Sequence, residues 1–517
     1  MKKSLLILFV MFSAGMLFSQ NTWSDNVGEL MFNHCSRCHH EGGLGPFPIM
    51  SYDNAYDWRF EIEAAVTEGI MPPWPADPEY RHFAYENVLN ADEKSAILDW
   101  IALDAPHGNE ANDPVPPVFQ SGSQLPSIDL TSQIPLYTSN AANQDVYRSF
   151  VIPSGLTQDK YIDMMEVIPG NPEIVHHVLV YYDPTNSSAA LDAADPGPGF
   201  TSFGTAMNNQ ETVLLGGWVP GSEFMELPLG FGALIEAGSD IVVEIHYPEG
   251  SDGQTDETLV NFHFSTSQFV RPVYMSPVLY HFPPVLQEPF LYIPANETAT
   301  FHQEYTVPIA LTGFSILPHM HLIGQSIICW GETTDEETIP IVSIPQWDFH
   351  WQMSYRFPQL QTLPAGTVLK AEAFYDNTES NPHNPNSPPE DVWVGESTTD
   401  EMMIVFFSYT FYLPGDEDIV IDPSLQVADA QKIEGSFNVF PNPANDFVNV
   451  NYANPNRTSA DILIFDGQGA LVKKAVQSLK AGMERFTLNV SDLPSGIYVM
   501  QLVGENMNSS KRFVVSH

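Results

Sequence analysis

From about residue 126 to residue 425 the chain is written in short runs such as IVHHVLVYY, DIVVEIHY and LKAEAFY, separated by Pro, Gly and Asn turns. Alternate residues of an extended run face the same side, so each run covers a core with one face only. Such runs cannot build a helical bundle; they require sheets stacked on sheets. The 43 prolines and 33 glycines fit the same turn-rich architecture. The stretch is too long for one ordinary core and suits two β-sandwiches, 126–285 and 286–425, with the divide near 280–290. A third β unit is expected over 437–517 from the runs FVNVNY, DILIFD, RFTLNV, GIYVMQLV and KRFVVS.

The first part of the chain has a different texture. Residues 1–20 read as a secretory signal: Lys2 and Lys3, an apolar run from Leu5 to Phe12, then small residues. That run is too short for a convincing membrane span, and no later segment offers another. Beyond it, Val27, Leu30 and Met31 recur at helical spacing and lead into Cys35. Asn90 followed by Glu93 resembles a capping box ahead of a helix carrying Ile97, Leu98 and Ile101, with Pro106 and Gly108 as stop signals. Residues 21–108 therefore predict a small helical unit with an irregular, proline-rich middle, and 109–125 a linker. The expected fold class is multidomain and mainly β, with one small all-α unit.

The formal charge of −45 is concentrated before residue 437, where twelve Lys/Arg face 58 Asp/Glu. An acidic body repels nucleic acid and anionic lipid, which excludes both as expected partners. Of three cysteines, two lie in one motif and Cys329 is left over, so no structural disulfide is expected within a chain.

Cys35-Ser36-Arg37-Cys38-His39 has the spacing of a c-type haem attachment: two thiols and an adjacent imidazole presented together to a porphyrin. A CxxC pair can also bind zinc, but no second pair is present to complete such a site. Met71, opening MPPW, is a candidate sixth ligand, since a Met/His pair suits electron transfer. The other readings are that Met71 packs on a haem edge with Met50, His40 or His82 as ligand, or that the sixth position is open.

Six further residues are candidate copper ligands. His319 and His321 are separated by one residue and would face the same side of a strand. Met402 would add a soft thioether favouring Cu(I) over zinc, although a methionine ahead of an apolar run is also a natural core residue. His176, His177 and His246 would make an all-imidazole site suited to copper or to zinc. Adjacent residues on a regular strand point to opposite faces, so His176 and His177 can share an ion only where the strand is distorted. Each of these histidines is otherwise a satisfied buried polar group.

The strings IVHHVLVYY, EIHYP, PHMHLIG and DEMM, in this order over 126–425, resemble the copper type II, ascorbate-dependent monooxygenases, the family of dopamine β-monooxygenase and peptidylglycine α-hydroxylating monooxygenase. FHWQMSYRF and LPAGTVLKAEAFYDNTE fit the same pattern, and EIHYP looks nearer the dopamine β-monooxygenase side. The resemblance implies two jelly-roll-like sandwiches and two coppers per chain. It assigns His176, His177 and His246 to an electron-transfer copper, and His319, His321 and Met402 to an oxygen-binding copper, facing each other across a solvent-filled cleft. The disulfides of the animal enzymes are missing, and their substrate-holding residues find no confident match here. Residues 21–108 resemble a class I-like cytochrome c domain. FNVFPNPANDFVNV, DLPSGIYVMQL and the terminal KRFVV resemble the type A sorting domain of the type IX secretion system.

The resemblances together imply an exported monooxygenase acting on a small organic molecule with dioxygen. Its electrons would come from ascorbate or an extracellular or periplasmic donor, relayed through haem c. Two rivals remain: a secreted copper/haem electron-transfer protein without oxygenase activity, and a haem peroxidase.

Overall fold

The computed structural model describes residues 21–119, 122–201, 211–222, 224–395, 397–422, 437–440, 444–454, 458–466, 470–479, 482–504 and 507–516. The expected signal, 1–20, and the PNP opening of the last domain, 441–443, lie outside the described residues. The chain divides into two compact units: Met1–Pro73 with Asn87–Phe119, and Trp74–Glu86 with Gln120–His517.

The first unit is helical. A π-turn at Trp23–Val27 runs into the helix Gly28–His34, followed by Tyr52–Asp57, Arg59–Glu68 and Ala91–Ala102. Val27 and Met31 are fully buried with Ile97, Trp100 and Ile101, so the residues at helical spacing form the core. The capping box is present: Asn90 Oδ1 accepts the N–H groups of Asp92 and Glu93, and Glu93 accepts the N–H of Asn90 at 2.9 Å. The last helix ends at Ala102, ahead of the stop residues Pro106 and Gly108.

The second unit is built from sheets. In its first sandwich the strand Asp240–Tyr247 is buried along all eight residues and lies between Val146–Pro153 and His177–Asp183, antiparallel to both. Across the core lies a sheet centred on Leu259–Phe264 and Lys160–Ile168. The second sandwich sets the sheet containing Tyr274–Leu279, Ile404–Phe411, Leu311–His319 and Tyr355–Leu363 against one containing Thr298–Thr306, Val368–Asp376, Gly324–Glu332 and Thr338–Ile344. Tyr274–Leu279 pairs with Ile404–Phe411, so the second sandwich begins earlier than the expected divide near 285. Apolar contacts join the two sandwiches: Phe231 meets Phe314 edge to face at 5.0 Å. The terminal unit forms two sheets over its own core, including Val448, Ile464, Met500 and Phe513.

Residues 74–86 depart from the expected organisation. The sequence places them in the helical segment 21–108, yet Ala76 and Phe83 are buried in the core of the second sandwich. Asp77 N–H donates to Ser343 O at 2.8 Å, Ala84 N–H to Arg356 O at 2.9 Å and Tyr85 N–H to Asp422 Oδ2 at 2.7 Å. Phe83 packs on Tyr355 and Phe357 and is wholly excluded from solvent. Phe83→Ala should therefore destabilise the sandwich by about 3–5 kcal/mol, as emptied aromatic sites do, read as a lower urea midpoint.

Candidate metal centres

The first centre is made where a ladder ends. His246 and His177 are direct register partners on adjacent antiparallel strands. His176 lies one residue outside its strand, after the turn in which Ile174 and Val175 N–H both point to Asn171 O, and its own N–H donates to His246 O at 3.0 Å. Because His176 is outside the pleat, strand alternation does not apply to it, and both neighbouring imidazoles reach the same side. The donor atoms of His176, His177 and His246 all lie within 4.8 Å of one another. The Nδ1 atoms of His176 and His177 are 3.2 Å apart, and those of His246 and His176 are 3.1 Å apart.

That spacing fits a metal. Two nitrogens each about 2.0 Å from one ion at a tetrahedral angle lie roughly 3.3 Å apart. Burial holds His176 down to about 3, helped by the neighbouring His246 and His350 charges. Burial likewise holds His177 well below the usual histidine range, with His319 and His321 among the charges that add to the effect. Neutral imidazoles with converging lone pairs are what a bound cation needs.

Asp145 stands behind this centre. Its Oδ2 lies 3.4 Å from His246 Nε2 and accepts the Thr398 hydroxyl, while Oδ1 accepts the Glu249 N–H at 2.8 Å. Burial raises the Asp145 carboxyl, but the contacts from His246 and Thr398 outweigh it and hold the group well below the carboxylate range. A carboxylate facing Nε2 favours the tautomer with its proton there, leaving Nδ1 as the donor atom. Tyr147 stacks on the same ring at 4.3 Å. Asp145→Asn should weaken metal binding at the three-histidine set by roughly 10–100-fold, the usual cost of losing such a partner, as measured by competition with a chromophoric chelator.

The second set lies at the end of the neighbouring sandwich's sheet. His319 is the last residue of Leu311–His319 and pairs with Ile404, which places Met402 two residues before the partner strand. Met320 is fully buried in the core, while the rings of His319 and His321 lie 5.1 Å apart and nearly perpendicular. His319 Nδ1 contacts Gln352 Oε1, and His321 Nδ1 lies 3.1 Å from Asp400 O. Both Nδ1 atoms thus face oxygen acceptors, which leaves each Nε2 as a lone-pair donor. Burial holds His319 down to about 4 and His321 well below its usual range. Met402 is 7% exposed.

Glu401 organises this turn. Its buried carboxylate accepts the N–H groups of His321 at 2.9 Å, Ile323 at 2.9 Å and Met402 at 3.1 Å. Burial pushes its carboxyl up to about 8, with these N–H groups pulling the other way. A further histidine missed by the sequence reading, His281, accepts the Met403 N–H at 3.4 Å and is held down to about 4 by burial and the His319 charge.

In the helical unit, Cys35 caps the helix Gly28–His34 and both motif thiols are free. His39 is buried, with Nδ1 at 2.9 Å from Phe47 O, which leaves Nε2 as its donor atom. Gly45 runs so close that a Cβ there would lie 2.6 Å from His39 Nδ1. Two free thiols and an imidazole with its donor atom set in this way fit a covalently held haem. Met71 lies just past the helix Arg59–Glu68, its N–H on Ala65 O at 3.3 Å. Of the alternatives to Met71, His40 stacks on Phe119 and His82 is an exposed partner of Glu86 in the other unit.

Asp145, Gln352, Glu401 and His281 were not identified by sequence reasoning. Gln352 and Glu401 sit inside the quoted strings FHWQMSYRF and DEMM, whereas no local pattern marks Asp145 or His281.

A family model, the secretion system C-terminal sorting domain, matches residues 438–516. The chain is therefore exported through the type IX secretion machinery, to the cell surface or beyond it. Among the described residues no helix is long and apolar enough to cross a membrane. Similar solved structures include a beta-glucuronidase of Faecalibacterium prausnitzii, at 9% identity and TM-score 0.14, covering 43% of this chain and 38% of that one. A peptide-N(4)-(N-acetyl-beta-D-glucosaminyl) asparagine amidase is 11% identical with a TM-score of 0.25, covering 54% of this chain and 96% of that one. The chain thus spans well under half the length of the glucuronidase it matches.

Proposed function

We propose that this chain is an exported copper-dependent monooxygenase that hydroxylates an activated C–H bond of a small organic molecule, with a c-type haem in its helical unit relaying electrons. The observation that carries the reading is the convergence of His176, His177 and His246 on Nδ1 spacings of 3.1 and 3.2 Å, in the same unit as a second pair of imidazoles, His319 and His321, whose turn Glu401 ties to the Met402 segment. Copper held there would supply one-electron redox chemistry and dioxygen activation, one oxygen atom entering the product and the other leaving as water.

The protein's part is to prepare unlike donor sets. His176, His177 and His246 offer nitrogen only, which suits a metal that changes oxidation state without a change of partners. His319, His321 and Met402 offer a softer set that favours reduced copper. Asp145, Gln352 and the Asp400 carbonyl face the remaining ring nitrogens of His246, His319 and His321 and set their tautomers. In the helical unit, read as cytochrome c-like, Cys35 and Cys38 would hold the haem through thioethers. His39 would ligate the iron, with Met71 the candidate for its second side-chain ligand.

The test is to load and reduce the protein anaerobically, then admit isotopically labelled dioxygen with candidate substrates. One labelled oxygen in the product supports the reading. Oxidation of copper and haem with no oxygenated product from any substrate would favour the alternative, a secreted electron-transfer protein.

A further inference from the structure

One side chain lies against both imidazole sets. Phe349, half-buried on the loop between the strands Thr338–Ile344 and Tyr355–Leu363, stacks on His176 at 5.2 Å and 16°. The same ring meets His321 at 6.0 Å and 88°. Both distances fall in the range of favourable aromatic pairs, one offset-stacked and one edge to face.

The loop is built to hold that ring. Gln352 Nε2 donates to Phe349 O at 2.8 Å while its Oε1 contacts His319 Nδ1. Trp347 Nε1 donates to His321 O at 3.1 Å, and the Trp351 N–H closes a turn on Asp348 O at 3.1 Å. A single loop of the second sandwich therefore touches His319 and His321 of its own set and His176 of the other.

We propose that Phe349 is a positioning residue that fixes the ring planes of His176 and His321 relative to each other and supplies the packed path between the two sets. This rests on the reading given under Proposed function. With one imidazole parallel to the phenyl ring and the other perpendicular to it, a single side chain constrains both orientations at once. Copper held at the two sets would supply one-electron chemistry, with two electrons per turnover drawn from an exogenous donor; what the chain itself provides is the ring packed between His176 and His321.

The test compares Phe349→Leu with Phe349→Tyr. In the metal-free protein with isotopically labelled histidine, the ring resonances of His176 and His321 should lose their ring-current displacement in F349L and keep it in F349Y. In the copper-loaded protein, F349L should keep the wild-type copper content but slow electron transfer out of the three-histidine set. The expected loss is on the order of 10–100-fold, as for other misplacements at reacting centres, followed by rapid freeze-quench after mixing with dioxygen. F349Y should restore the rate. Unchanged resonances in F349L, or an unchanged transfer rate, overturn the proposal. If the wild type takes up no copper, the metal reading fails instead, and the resonances still decide whether Phe349 orders both rings.

Discussion

Under the proposed function, Met402→Ile should abolish oxygenation while the three-histidine set keeps its copper. Isoleucine nearly matches methionine in volume, so a buried site tolerates the exchange for less than about 1.5 kcal/mol. The thioether is lost, and with it the one soft donor of the second set. Product formation should fall by more than about 100-fold, since even partners one shell removed from a metal cost that much. The bland alternative makes the opposite prediction: if Met402 only fills the core ahead of Ile404–Phe411, the exchange leaves turnover nearly intact. Product analysis together with copper content on the same preparation separates the two.

The second large effect is expected at Glu401. Three backbone N–H groups, from His321, Ile323 and Met402, converge on its buried carboxylate. Glu401→Ala leaves all three without an acceptor, and each orphaned donor costs about 1–3 kcal/mol, so a loss of roughly 3–5 kcal/mol is expected after relaxation. Glu401→Gln keeps one acceptor oxygen and should cost about 1–3 kcal/mol. The carboxylate ties the His321 turn to the Met402 segment, so both variants should lose metal at the second set before the first. Urea unfolding and site-resolved copper spectra measure the two consequences.

How much of this was legible in the sequence follows from the range of the interactions. Strand alternation identified IVHHVLVYY, DIVVEIHY and LKAEAFY, and the structure has strands over them at His177–Asp183, Asp240–Tyr247 and Val368–Asp376. The capping box at Asn90 was legible because both partners lie within one helical turn. The i, i+2 spacing put His319 and His321 together with Met320 turned into the core, although the strand itself stops at His319. The geometry of His176 was not legible. Alternation is a rule for residues inside a strand, and nothing local says that the strand begins one residue later, at His177.

Contacts between distant segments left no local trace. Asp145 meets His246 and Thr398 from a loop that carries no motif, and Phe349 reaches His176 from the other sandwich. Residues 74–86 follow Met71-Pro72-Pro73 directly, so they read as part of the helical segment; only the packing of Ala76 and Phe83 among strands far along the chain assigns them elsewhere. The strands of the sorting domain were readable from their own alternation, and some are hairpin neighbours, as in the pairing of Gly496–Gly504 with Met507–Val515. The pairing of Phe447–Asn454 with Gly482–Asn489, across two intervening strands, left no local trace.

The most direct measurement is the metal and haem content of the purified, metal-reconstituted chain, by elemental analysis and the pyridine haemochrome spectrum. Two coppers and one haem per chain are the predicted result, matching His176, His177 and His246, then His319, His321 and Met402, and then Cys35, Cys38 and His39. Zinc retained in place of copper at the histidine sets would contradict the account.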